Sequence, residues 1–227
     1  MMVSPGTFYN QMEGKSVEEL QTEIRSLKRE ITKLKNEIEN PVEKPDLLCP
    51  SRDVRICCSR EYLEMAKKAL ADAGGEYKET AAEKKARAFR DNLPHLTKME
   101  LQIGSYPEPC FEPHVIVVNG NEINGVGWCG SFDFPKPIET KDQLLAYLWE
   151  MHLEEWQREY RPEKYGMQVM DGAWWTLKIE YDGGIKPIEY YGHAVYPWNF
   201  DALCKLFGED MWSRYDDEDE EDGEDEQ

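Results

Sequence analysis

Six cysteines (49, 57, 58, 110, 129 and 204) and four histidines (95, 114, 152 and 193) are the side chains of this sequence most apt for chemistry. Cys110 stands four residues before His114, and that pair, or Cys129 with a histidine brought near by folding, would make a thiolate–imidazole dyad. Such a dyad needs no fixed spacing, so nothing in the pattern singles it out. The plainer expectation is that Cys57, Cys58, Cys129 and Cys204 serve as small buried hydrophobes. "HLEEW" (152–156) lacks the second histidine of a zinc-protease helix, and there is no Cys-x-x-Cys pair. "NGNEINGVG" carries glycines without the Gly-Lys-Ser/Thr of a phosphate loop. Glu154 and Glu155 would point apart on a helix and read as a solvated face. No catalytic, cofactor-binding or metal-binding set emerges, and no cofactor is expected.

The aromatic residues offer recognition rather than reaction. Trp174, Trp175, Tyr190, Tyr191 and Trp198 fall in or beside two strand-like runs. Alternation along a strand puts Trp174 and Trp175 on opposite sides, and likewise Tyr190 and Tyr191. One of each pair belongs to a core; the other is a candidate for partner binding, because Trp and Tyr dominate binding hot spots.

Charge narrows the class of partner. The chain has 46 acidic and 27 basic residues, a net charge of −19. The tail "DDEDEEDGEDEQ" (216–227), beginning Asp216, Asp217, Glu218, Asp219 and Glu220, holds ten of the acids and no base. Without it 36 acids face 27 bases, a net of −9. Direct nucleic-acid binding is disfavoured, since phosphates call for clustered Lys and Arg, and anionic membranes are disfavoured for the same reason. The tail reads as a disordered solubilising segment or as a mimic of nucleic-acid charge aimed at a basic protein. "MMVSPGTFYNQMEG" lacks the basic start and apolar run of a secretory signal, and no stretch approaches the ~20 apolar residues of a membrane span. The expectation is a cytoplasmic protein with reduced thiols.

The elements that must position these residues begin with the sharpest pattern in the chain. Val17, Leu20, Ile24, Leu27, Ile31, Leu34 and Ile38 follow each other at spacings of 3 and 4 in strict alternation, a coiled-coil seam. Branched residues at a and Leu at d favour a parallel pair of strands, with Glu23 meeting Lys28 and Glu30 meeting Lys35 across two copies. Ser16 and Glu19 form a capping box at its start. The expected partner of this helix is a second copy, giving a parallel homodimer; the same stripe packed within the chain is the ordinary alternative, and a helix of another protein the third.

Further along, "DVRICC" reads as a short strand, followed by a helix capped by Ser59 and stopped at Gly74-Gly75. Thr80 and Glu83 cap a second helix. "KMELQIGSY" and "HVIVVNG" read as strands, and the Gly-rich run after them as a turn and another strand. Thr140 caps a long helix, "KDQLLAYLWEMHLEEWQREY". Strands flanking Asp182-Gly183-Gly184 make a hairpin, and "PWNFDALCKLFG" is a short closing helix. Helices and mostly antiparallel strands without a βαβ rhythm point to α+β. The expected domains are a flexible arm at 1–15, the coiled-coil dimerisation helix at 16–40, a Pro-rich linker at 41–52, one α+β domain at 53–213 and the disordered acidic tail at 214–227.

The C-terminal half, "HLEEWQREY…YGMQVMDGAWWTLKIEYDGGIKPIEYYGHAVYPWNFDALCKLFG", resembles a family of uncharacterised proteins of anaerobic Gram-positive bacteria and their mobile elements. These read "LHxGEWxxxY…VLDGxxWxLxIxYxxG…GxNAYPxNFxxLxxLFG", and "FRDNLPHLTKMELQIGSY" is similar to their "F…LPxIxxIxFxIGG". Glu154 stands where the family has Gly, Ser105 replaces a Gly, and His193–Pro197 departs from "xNAYP". The resemblance implies a compact domain and a setting in mobile-element biology, such as inhibition of host defence, and no mechanism. Together with the charge it suggests a non-enzymatic interaction protein, of the anti-CRISPR type, that blocks a basic surface. The alternatives are an enzyme with an unrecognised site in "GVGWCGSFDF" (125–134) and a structural scaffold.

Overall fold

The seam residues of the N-terminal helix do find a partner, and it lies in the same chain. The computed structural model describes residues 4–40, 49–105, 112–127 and 130–208. Cys110, Cys129, most of the expected linker and the acidic tail, including Asp216 to Glu220, lie outside them. The chain divides into two units, Met1–Glu83 and Lys84–Gln227.

In the first unit, α1 (Pro5–Met12), α2 (Val17–Glu39) and α3 (Arg52–Asp72) pack together. Ser16 and Glu19 form the expected capping box of α2, with the Ser16 amide donating to Glu19 Oε2 at 2.8 Å. Leu20, Ile24 and Leu27 are buried against Tyr62, Ala66 and Leu70 of α3 and Phe8 and Met12 of α1. Ile31 and Leu34 are buried too, while Val17 and Ile38 at the ends are half-buried. The polar flanks are likewise engaged within the chain. Glu23 pairs with Lys15 (3.4 Å), Lys28 with Glu83 (2.9 Å), Glu30 with Arg55 (3.5 Å) and Glu37 with Arg52 (3.2 Å). Because Glu37 meets the start of α3 while Leu20 packs near its end, α2 and α3 run antiparallel. The heptad spacing therefore serves an intrachain helical hairpin, and the face assigned to a second copy is filled. A period of 3.5 states that one stripe is buried; it is silent on which chain does the burying.

Two other expectations change here. Residues 1–15 contain α1, capped by Ser4, whose Phe8 ring stacks on Tyr62 with centroids 4.3 Å apart. "DVRICC" is no strand: α3 runs unbroken from Arg52, and Ile56, Ser59, Tyr62, Ala66 and Leu70 make its buried stripe. Cys57 consequently points outward, exposed, rather than into a core.

Glu83 closes this unit electrostatically. It accepts from Tyr77 Oη (2.5 Å), from the Thr80 amide (2.9 Å) and from Lys28. Burial works to raise its pKa, but the hydrogen bonds from Tyr77, Thr80 and Lys28 outweigh it and hold the carboxyl at about 2, against an ordinary 4.5. A carboxylate whose folded pKa is depressed stabilises the fold above its unfolded pKa and ceases to do so as pH falls through the folded value. The stability difference between the full chain and Glu83→Gln should thus be constant above about pH 5 and vanish between about pH 4.5 and pH 2. Solvent screening of the partly exposed side chain keeps it to roughly 1 kcal/mol in urea unfolding.

The second unit is built on a seven-stranded sheet in the order β4-β3-β2-β1-β6-β7-β5. Its strands are β1 (Leu96–Gly104), β2 (His114–Asn119), β3 (Glu122–Gly127), β4 (Gly130–Ser131), β5 (Glu159–Tyr160), β6 (Trp174–Tyr181) and β7 (Ile188–His193). All neighbours are antiparallel except β5 and β7, so the fold is α+β with a mostly antiparallel sheet. The β6–β7 hairpin turns at Asp182-Gly183-Gly184, where both glycines have positive φ. Helices α4 (Ala81–Asn92), α5 (Lys141–Glu150) and α6 (Phe200–Leu206) contribute Phe89, Leu144, Leu148, Leu203 and Leu206 to one core with Met99, Leu101, Ile116, Leu177 and Ile179 of the sheet. The opposite face carries the alternate residues, among them Lys98, Glu100, Lys178 and Glu180, which pair as Lys98–Glu100 (2.7 Å) and Lys178–Glu180 (2.6 Å). Among the described residues no helix is long and apolar enough to cross a membrane.

Candidate functional site

The long helix expected from Thr140 stops early, and the stop gathers a buried polar cluster. α5 has its Thr140–Gln143 capping box but ends at Glu150. His152 then takes a left-handed conformation (φ 53°), which histidine tolerates better than bulkier or branched residues. The chain turns into a short 3-10 segment, Leu153–Glu155, held by bonds from far along the sequence. Asn199 Nδ2 donates to the Met151 carbonyl (2.5 Å), Trp156 Nε1 to Asn199 Oδ1 (2.8 Å) and Tyr190 Oη to the Leu153 carbonyl (3.0 Å).

This turn delivers Glu154 inward. Its side chain is 2 % exposed, where a continued helix would have left it in solvent. Arg90, on α4, donates to Glu154 Oε1 through Nε at 2.8 Å and again through Nη2. The same Nη2 lies 2.9 Å from His152 Nδ1, and the guanidinium stacks over Trp149 at 4.3 Å. Arginine can only donate, so towards Arg90 Nδ1 is the acceptor, and the same nitrogen lies 3.1 Å from Glu154 Oε1. Glu154 Oε2 is buried without a hydrogen-bond partner. Donor atoms of His152, Glu154 and Glu155 lie within 4.8 Å of one another, close enough to hold a cation. Arg90 already bridges Nδ1 and Oε1 with its own positive charge, which disfavours a second cation on those two atoms and ties the turn to α4.

The aromatic candidates separate as alternation requires. Trp175 is fully buried, packs on Phe200 with centroids 4.7 Å apart and donates Nε1 to the Val195 carbonyl (3.0 Å). Tyr190 is buried, and its hydroxyl pKa is driven well upward by burial, with the positive charge of Arg158 opposing. Both are committed to the core and present no surface. Trp174 is half-buried and lies against Gly104, where a Cβ would come within 2.6 Å of its ring. Tyr191 is 36 % exposed with the Arg161 guanidinium 5.8 Å from its ring. Since Thr176 is the direct partner of Tyr191, and Trp174 that of His193, Trp174 and Tyr191 share the sheet face opposite the core. Trp198 is half-buried ahead of α6. Cys204 is buried and Cys49 exposed, so among the described cysteines only Cys204 fits the expectation of a fully buried thiol.

Arg90, His152 and Glu154 were not legible as a set. The available signal was that the apolar spacing Leu144, Leu148, Met151 fails to continue to Trp156 and Tyr160, which marks a break near His152. The chain matches no family model, no curated protein and no solved structure.

Proposed function

We propose that the protein is a non-enzymatic, acidic interaction protein that docks a basic protein surface on the sheet face opposite its core. The observation that carries this reading is the placement of Trp174 and Tyr191 on that one face, with Arg161 stacked on Tyr191. Trp, Tyr and Arg are the residues from which binding hot spots are built. The net charge of −19 selects the partner's sign and speeds encounter with a cationic surface. The finer version, supported by charge and by the resemblance to mobile-element proteins, is occupation of the basic nucleic-acid channel of a host defence protein. A parallel zipper through α2 has lost its free face to α3 and α1, so self-association enters this reading only through exchange of α2 between copies.

The test is capture of basic proteins from bacterial lysate on the immobilised full chain at low salt, repeated with Trp174→Ala and Tyr191→Ser combined. The captured protein should elute with salt, lose its nucleic-acid binding in the complex, and bind the double variant at least about tenfold more weakly. Retention undiminished by the double variant, or indifferent to salt, would remove the proposed face.

A further inference from the structure

A cleft of about 160 Å³ lies between α4, the 153–155 turn and β7, and its lining runs against the charge of the whole molecule. Phe89, Trp156 and Ile188 supply apolar wall, Asn92 an amide, and Lys85 and Arg158 two cations. The one carboxylate of the lining, Glu154, is 2 % exposed and held by Arg90. Lys85 and Arg158 are both exposed, and neither pairs with a carboxylate among the described residues. Arg158 donates Nη1 to the Glu189 carbonyl (3.3 Å) and lies over the Tyr190 ring at 4.9 Å. In a chain with 46 acids to 27 bases, two neighbouring cations left over at an aromatic-walled cleft are an opening for an external anion.

We propose that this cleft binds a small aromatic carboxylate, its ring against Phe89, Trp156 and Ile188 and its carboxylate on Lys85 and Arg158. Size supports a ring: engineered cavities of about 150 Å³ take benzene. Shape and charge then divide the work, since the buried aromatic side chains have no polar atom left to offer. Trp156 Nε1 is spent on Asn199, and Tyr190 Oη on the Leu153 carbonyl. The one buried polar atom of the lining without a partner, Glu154 Oε2, is itself anionic and offers a carboxylate nothing, so polar recognition falls to Lys85 and Arg158, with the Asn92 amide a further donor. Arg158, stacked on Tyr190, is held at the rim rather than free to swing away. This site is separate from the proposed protein-docking face, and either can fail without the other.

Benzoate titrated into the full chain, followed by backbone-amide and indole NMR, is the direct test, with benzamidine and inorganic phosphate as comparison probes. Benzoate should saturate with Kd of about 1 mM, as expected for nine non-hydrogen atoms, and move the Trp156 indole resonance. Lys85→Gln, at an exposed helix position, and Arg158→Gln should each weaken it roughly threefold, with the amide spectrum otherwise retained. Benzamidine should bind far more weakly. No saturation by benzoate, equal binding of benzamidine, phosphate binding as tightly as benzoate, or indifference to both substitutions would each overturn the proposal.

Discussion

Replacing Ile24 and Leu27 together by aspartate should abolish the fold of the first unit, seen in circular dichroism of the full chain as loss of the helical signal of α1, α2 and α3. Both side chains are almost wholly buried, at 3 % and 5 % exposure, in the cluster shared with Tyr62, Ala66 and Leu70. Removing a buried Leu or Ile side chain costs about 2–5 kcal/mol through lost transfer energy and the cavity left behind. Placing a carboxylate there adds its desolvation. Two such sites, with the desolvation added, are of the same size as the roughly 5–15 kcal/mol by which a domain is stable at all. Arg29→Asp, on the exposed face of the same helix, changes charge without touching the cluster and should leave the signal within a few per cent of the parent. Light scattering on the same samples separates the two ways a seam can be used. A parent that is a single chain, losing helix on substitution, belongs to the intrachain hairpin. A parent of two copies yielding a folded single chain would mean that α2 packs across copies, and the hairpin assignment would fail.

The pair α2 and α3 shows what a sequence can carry. The stripe from Val17 to Ile38 is local and periodic, so the helix, its cap and its buried face are all plain. The identity of the covering surface is a long-range fact. It was hidden because α3 has Val54 and Ile56 near its start, two β-branched residues that favour strands when read in isolation. Tertiary packing overrode that preference: Ile56, Ser59, Tyr62, Ala66 and Leu70 recur at helical spacing and give α3 a stripe to match α2. The β6–β7 hairpin was legible for the opposite reason. Alternating burial and a Gly-Gly turn are written within about 20 adjacent residues, and the outward and inward members of Trp174/Trp175 and Tyr190/Tyr191 followed from the period of two. The end of α5 was not legible. Nothing in "WEMHLEEW" forbids helix; Asn199 and Tyr190, remote in sequence, tie down the turn after Met151 and so turn Glu154 inward.

Arg90→Met should be among the most damaging single changes in the second unit, at about 3–5 kcal/mol in urea unfolding followed by tryptophan fluorescence. The reason is an asymmetry of burial. Glu154 is 2 % exposed and Arg90 is 25 % exposed. Without the guanidinium, the carboxylate loses both Arg90 donors to Oε1 while Oε2 already has none, and a desolvated charge is left with only His152 Nδ1, 3.1 Å from Oε1, within reach. His152 Nδ1 loses its donor and Trp149 its cation in the same stroke, the latter worth about 0.5–1 kcal/mol. Glu154→Gln removes the other partner but leaves a guanidinium that can still reach water, and should cost only about 1–2 kcal/mol. The decisive variant combines Arg90→Met with Glu154→Leu. If the damage in Arg90→Met comes from the stranded charge, replacing that charge by an apolar side chain of similar bulk should recover most of it, bringing the double variant to within about 1–2 kcal/mol of the parent. If instead the two losses simply add, Arg90 acts through its stacking on Trp149 and its bond to His152, and the inward turn at 152–155 is held by Asn199 and Tyr190 alone.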